Sequence, residues 1–176
     1  MIKIGFDLDH TILDYSDYIN EYSITKYGKK IKSKNYMKNY IKRNYSNLTW
    51  VNFQRKMYSD LKTFKIDRCF FLLIYKLKKI DCEFYLISQR KNHNSIKLKN
   101  IGKIIVKKKL NFFKKTYFVD TIDDKVTLIN KLKIDFYFDD LSNIVNKINS
   151  SGNSKGLILN NLGYYNWEYY YNNFKI

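Results

Sequence analysis

Ile2-Lys3-Ile4-Gly5-Phe6-Asp7-Leu8-Asp9-His10-Thr11 decides the reading of this chain. Ile2–Phe6 is rich in β-branched and aromatic residues and too short for a helix, so it is expected to form a buried strand. It runs directly into two carboxylates spaced i, i+2. At the carboxyl end of a strand, Asp7 and Asp9 crowd negative charge into one place. Unpaired, such a pair is costly, and one member tends to keep its proton. An acidic turn facing solvent would carry the same residues, so the weight falls on what accompanies the motif downstream.

A divalent cation would remove the charge penalty. Mg²⁺ suits the site best, because it takes hard oxygen ligands, keeps several waters and bridges carboxylate to phosphate. The carboxyl end of a strand in an open α/β sheet is also where ligands bind.

Past Thr11 the texture changes, and the stretch up to Lys65 is helical in pattern and basic. Tyr18, Ile19, Tyr22, Ile24 and Tyr27 form one apolar stripe, and Tyr36, Met37, Tyr40 and Ile41 a second. Trp50, Phe53, Met57 and Leu61 form a third, at i, i+3, i+7 and i+11. Gly28 and the run Lys29–Lys34 read as a turn between helices. The aromatics are expected to pack helices together. Residues 14–65 are therefore expected to be a small helical cap inserted after the first strand, with 1–13 and 66–176 forming an α/β core.

From Asp67 onward strands and helices alternate. Asp67 is expected to cap a helix running to about Lys79. Glu83–Ile87 reads as a second buried strand, ending at Ser88-Gln89-Arg90. A hydroxyl at a strand tip, followed by the backbone N–H groups of a polar loop and a helix near His93–Lys99, forms a phosphate cradle. Ile104–Val106 and Thr116–Val119 read as short strands, and Lys107–Lys109 as a solvated run. Asp123 and Asp124 are expected to cap a helix from Lys125 to Leu132. A lysine in a first turn opposes the helix macrodipole, so an anion is expected to hold Lys125. Phe136–Phe138 is a further buried strand and ends in Asp139-Asp140. A helix over Leu141–Asn149, a loop over Ser150–Ser154 and a last strand over Gly156–Leu159 follow. The aromatic tail, with Tyr164, Tyr165, Trp167 and Tyr169, is expected to cover a sheet edge. The alternation predicts a three-layer, Rossmann-like α/β fold: a parallel sheet with helices on both faces.

Composition narrows the classes. At 176 residues the chain suits one domain with a small insertion. Its longest apolar run, Phe70–Ile74, is too short to span a bilayer, and no secretory leader is expected. Cys69 and Cys82 lack metal-ligand or redox spacing and read as small buried residues of a reducing compartment. A cytoplasmic protein is expected, with no membrane partner. The net charge of +17 suggests nucleic acid. The abundance of Lys, Asn, Ile and Tyr without Pro also matches the coding bias of an AT-rich genome, so the charge is assigned mainly to composition.

Asp7/Asp9, Ser88, Lys125 and Asp139/Asp140, in this order, resemble the motifs of the haloacid-dehalogenase-like (HAD) superfamily. The resemblance implies a Mg²⁺-dependent phosphatase. Asp7 would be the nucleophile and Asp9 the general acid/base. The dehalogenase branch typically lacks the second Asp, which points to phosphate esters. Thr11, Ser88, Gln89 and Lys125 would brace the loop and hold the phosphoryl group. Asp7, Asp9 (through its backbone carbonyl), Asp139 and Asp140 would surround the metal. Lys131, Lys133 and Lys115 are alternatives to Lys125, and Asp120, Asp123 and Asp124 are rival carboxylates. His10 stands where the family often has Gly. Asp135–Asp140 and Tyr165-Asn166-Trp167-Glu168 are similar to deoxyribonucleotidase-like members, which implies a nucleoside monophosphate as substrate, with sugar phosphates close behind. A nucleic-acid end phosphatase and a non-catalytic binding or regulatory module remain the other readings.

Overall fold

The computed structural model describes residues 1–91 and 97–176. A five-stranded, fully parallel sheet is built from β1 (Ile2–Phe6), β4 (Cys82–Gln89), β5 (Lys115–Val119), β6 (Phe136–Asp139) and β7 (Lys155–Ile158), in the order β5-β4-β1-β6-β7. The chain leaves central β1 toward one edge through β4 and β5, then returns to its other side for β6 and β7. The sheet therefore reverses its winding between β1 and β6, the place where α/β sheets open a ligand crevice beyond the strand ends. Phe6 lies level with Phe138, and the N–H of Asp7 donates to the Phe138 carbonyl at 2.9 Å, which carries the pairing one residue into the acidic motif.

Alternation along the strands sorts the two faces. Ile4, Phe6, Phe84, Leu86 and Phe138 point into one apolar layer, with Phe70 and Leu73 of α4 (Arg68–Leu77), Ile105 and Val106 of α5 (Leu98–Lys109), and Trp167 and Tyr170 of α8 (Trp167–Asn173). Tyr85, Ile87 and Tyr137 point the other way, onto Ile129 of α6 (Ile122–Leu132) and Ile144 and Ile148 of α7 (Ser142–Ser151). This is the three-layer α/β architecture read from the sequence.

In sequence, β1 is followed by a separate ribbon, β2 (Leu13–Asp14) paired antiparallel with β3 (Lys65–Ile66). Its two strands bracket α1 (Ser16–Tyr27), α2 (Lys34–Asn44) and α3 (Asn47–Ser59). Ser33 and Ser46 cap the second and third of these helices, and Gly28 ends the first in the left-handed region at φ 64°. Met37, Ile41, Trp50, Phe53 and Met57 are buried among them.

Three local expectations are corrected. Ile104–Val106 is not a strand; it lies within α5, where Leu98, Gly102, Ile105 and Val106 are buried at helical spacing. Three consecutive β-branched residues carry the same apolar signal in either state, and the burial period decides. The helix expected near His93 falls largely outside the described residues. The cap of α6 is Thr121, whose hydroxyl accepts from the Asp124 N–H while Asp124 accepts from the Thr121 N–H, so the helix starts three residues before Lys125. Trp167 of the aromatic tail does not cover a sheet edge. Trp167 is fully buried against Phe6, Phe70 and Phe138 on the sheet face. Among the described residues, no helix is long and apolar enough to cross a membrane.

Candidate functional site

The site forms where β1 and β6 end. Asp7 follows β1, Asp139 is the last residue of β6, and Asp140 is next in sequence. One ligand oxygen from each lies within 4.8 Å of the others. Lys125, from the first turn of α6 and only 1% exposed, reaches between two of them. Its Nζ donates to Asp7 Oδ1 at 2.7 Å and to Asp139 Oδ2 at 2.6 Å. The anion expected beside this lysine is thus a pair of buried carboxylates. Lys115, Lys131 and Lys133 make no ion pair with this cluster, and Asp120, Asp123 and Asp124 are used elsewhere, by Lys99, by Lys147 and in the α6 cap.

Burial dominates the electrostatics. It lifts the Asp7 carboxyl to about 6, with Lys125 opposing and Asp139 and Asp9 adding to the rise. Burial likewise raises Asp139 and Asp140, against the pull of Lys125 and Lys34 respectively. For Lys125, burial favours the neutral amine, but Asp7, Tyr137 and Asp139 outweigh it and keep the ammonium charged well above its ordinary range. The Tyr137 ring lies 5.4 Å from this ammonium. Gly5 makes room for it: a Cβ there would sit 2.5 Å from the Tyr137 ring.

Asp9 does not join the cluster. Its carboxylate takes the fork of Arg90, Nε to Oδ2 at 2.7 Å and Nη2 to Oδ1 at 2.6 Å, and a hydrogen bond from Tyr15 at 2.7 Å. All three side chains are buried. The sequence expectation for Asp9 at a metal concerns its backbone carbonyl; its side chain lines the same cavity as Asp7 and Lys125 while its oxygens are taken by Arg90 and Tyr15. Arg90 and Tyr15 were missed. Arg90 comes two residues after Ser88, just past the end of β4, and the sequence reading took it only as the end of that strand.

Ser88 and Thr11 are buried, and neither hydroxyl has a partner within the described protein. A buried hydroxyl without a partner is costly; Ser88 lies one residue from the end of β4, and Thr11 lies in the loop between β1 and β2. The Thr11 carbonyl accepts from Trp167 Nε1 at 3.0 Å, and Asn161 donates to the His10 carbonyl at 2.9 Å, so the chain's tail fixes the loop after β1. His10 adopts φ 65°, a conformation that favours glycine, and its ring meets the Tyr58 hydroxyl at 3.1 Å. The Gln89 amide donates to the Asp120 carbonyl at 2.8 Å.

Helices α2 and α3 form the facing wall. A cavity of about 270 Å³ is lined by Asp7, Asp9, Gln89, Lys125 and Asp140 from the sheet side, and by Lys34, Lys38, Trp50, Gln54 and Tyr58 from the helices. Lys34 crosses the gap to pair with Asp140. This contact too was missed, although the argument used for Lys125 applies: Ser33 is the cap of α2, so Lys34 opens the helix against its dipole and calls for an anion.

Three hard carboxylates with oxygens this close together fit an oxygen-seeking divalent cation. No family model matches the sequence, and no curated protein matches it. The fold does have solved counterparts. A HAD-superfamily hydrolase from Ehrlichia chaffeensis superposes with a TM-score of 0.58 at 14% identity, over 97% of this chain and 94% of that one. A family IA, variant 3 HAD hydrolase from Entamoeba histolytica superposes with a TM-score of 0.57 at 13% identity, over 93% of this chain and 86% of that one. The chain therefore has the HAD-like fold.

Proposed function

We propose that this HAD-like chain is a Mg²⁺-dependent hydrolase of small phosphate monoesters. The observation that carries the proposal is the buried Asp7–Lys125–Asp139 bridge beside Asp140 at the point where the sheet reverses. Residues 14–65 act as the cap that closes this site.

Asp7 attacks phosphorus, the bond from phosphorus to the ester oxygen breaks, and an aspartyl-phosphate forms on the chain. Asp9 gives a proton to the departing alcohol. It then takes one from the water that attacks phosphorus and frees phosphate and Asp7. Both Asp9 oxygens already accept from Arg90 and Tyr15, so proton transfer requires the carboxyl to leave at least one of these partners. Lys125, held charged, and the unpartnered hydroxyls of Ser88 and Thr11 receive the phosphoryl oxygens. A cation held by Asp7, Asp139 and Asp140 would offset the negative charge that gathers on the phosphoryl group.

A nucleoside 5′-monophosphate or a sugar phosphate is the proposed substrate. The support is a cavity of about 270 Å³ with Trp50 and Tyr58 on its wall and Lys34 and Lys38 at its rim. The test is phosphate release from nucleotides, sugar phosphates and 3′-phosphorylated oligonucleotides, with Mg²⁺ or EDTA, at low and high salt. Turnover of a small ester that EDTA stops and Mg²⁺ restores supports the reading. Turnover confined to oligonucleotides and lost steeply with salt assigns the site to nucleic-acid ends instead. No turnover of any ester refutes it.

A further inference from the structure

The Lys34–Asp140 pair joins two parts of the chain 106 residues apart, the first turn of α2 and the residue after β6. It lies at the acidic cluster itself. The two side chains are 17% and 13% exposed, so the pair is sheltered and weakly screened by solvent. Asp7, Asp139 and Asp140 together meet two ammonium groups: Lys125 serves the first two and Lys34 serves the third. Lys125 is almost fully buried and is held by two carboxylates at once. Lys34 sits on a helix at the surface of the insert and borders open space on both sides. The cavity that holds Asp7 and Lys125 lies on one side, and a second of about 230 Å³, lined by His10, Ser16, Asn160 and Asn161, lies on the other. Lys34, Asn35 and Asp140 belong to the lining of both, so the ion pair is the partition between them.

We infer that Lys34 is a placeholder for the divalent cation: it neutralises Asp140 while the metal is absent, gives the carboxylate up when the metal binds, and so ties metal occupancy to this contact between the helical insert and the sheet. This rests on the reading of the three carboxylates as a metal site. A doubly charged cation bound there puts like charge beside the ammonium, while Asp140 can serve only one of the two well. Lys34 must then swing off the carboxylate, which removes the partition and leaves its charge facing the pocket, one helical turn from Lys38. Binding of metal and release of Lys34 are thereby linked, and the linkage is reciprocal: whatever strengthens the ion pair weakens the metal.

The experiment is Mn²⁺ binding to the substrate-free protein, followed by the loss of the free-ion paramagnetic resonance signal. It compares the parent with Lys34→Gln, Lys34→Arg, Lys38→Gln and Asp139→Asn. Lys34→Gln is expected to bind Mn²⁺ about fivefold to tenfold more tightly than the parent, the worth of roughly one sheltered ion pair no longer competing. Lys34→Arg, which keeps a cation on Asp140, is expected to bind no more tightly than the parent. Lys38→Gln makes the same change in net charge at the same pocket without touching Asp140, and its affinity is expected to stay within twofold of the parent. Equal tightening in Lys34→Gln and Lys38→Gln would reduce the effect to general electrostatics and overturn the inference. So would an unchanged or weaker affinity in Lys34→Gln while Asp139→Asn abolishes binding, an outcome that leaves the metal site standing. A parent protein that takes up no Mn²⁺ overturns the metal site and the placeholder together.

Discussion

Asp7→Asn isolates the conflict built into the site, because it removes the charge of the central carboxylate and keeps its shape. Burial, only partly offset by Lys125, pushes the Asp7 carboxyl up to about 6. In the unfolded chain the group returns to about 3.9. Between these values the folded chain holds a proton that the unfolded chain has released. Stability is therefore full below about pH 4 and falls as the pH rises toward 6. Two pK units at about 1.36 kcal/mol each amount to about 3 kcal/mol. Asparagine cannot ionise and escapes this loss, though it forgoes the charged bond from Lys125. In EDTA near pH 7.5 the variant is expected to be more stable than the parent by about 1–3 kcal/mol, a rise in Tm of about 3–10 °C for a chain of this size. The gap should close near pH 4. Mg²⁺ should raise the Tm of the parent and not that of the variant. Thermal unfolding followed by circular dichroism across that pH range, with EDTA and then with Mg²⁺, reads all three effects. Phosphate release on the same samples should be lost in the variant. A variant less stable than its parent in EDTA near pH 7.5, or a gap that does not change with pH, would refute the reasoning.

The other buried ion pairs make simpler predictions. Lys125→Met leaves Asp7 and Asp139 facing each other without a cation. In EDTA at neutral pH it should cost about 3–5 kcal/mol in urea unfolding, and added Mg²⁺ should recover part of the loss by serving the same two carboxylates. Arg90→Met strands Asp9 in a buried site with Tyr15 alone and should cost a similar about 3–5 kcal/mol. Arg90→Lys keeps the charge but not the fork, and should recover only part of this, since an ammonium cannot match both Asp9 oxygens as a guanidinium does. An Arg90→Met variant as stable as the parent would show that the pair is not holding Asp9.

What could be read from the sequence is what is written locally. The strand Ile2–Phe6, the acidic pair after it, the capped helix at Asp67 and the strand Phe136–Asp139 all announce themselves through period, propensity and end residues. Lys125 was legible because a lysine in a first helical turn is out of place unless an anion receives it. Pairings set by the fold were not legible. Arg90 meets Asp9 across 81 residues and Lys34 meets Asp140 across 106, and no local pattern encodes either distance. Helix α5 was mistaken over Ile104–Val106 because strand and buried helix share the same short apolar signal. The tail reads as an edge cover because it is both aromatic and polar, whereas Trp167 finds a partner in the Thr11 carbonyl 156 residues away.

The central claim is that Asp7 carries the phosphoryl group. The most direct measurement is to quench the enzyme during turnover of a small phosphate ester, reduce the acyl phosphate with labelled borohydride and map the labelled peptide. Label on the peptide containing Asp7, dependent on Mg²⁺ and absent from Asp139→Asn, is the predicted result. Steady phosphate release with no label on that peptide, or with label on another residue, would contradict the account.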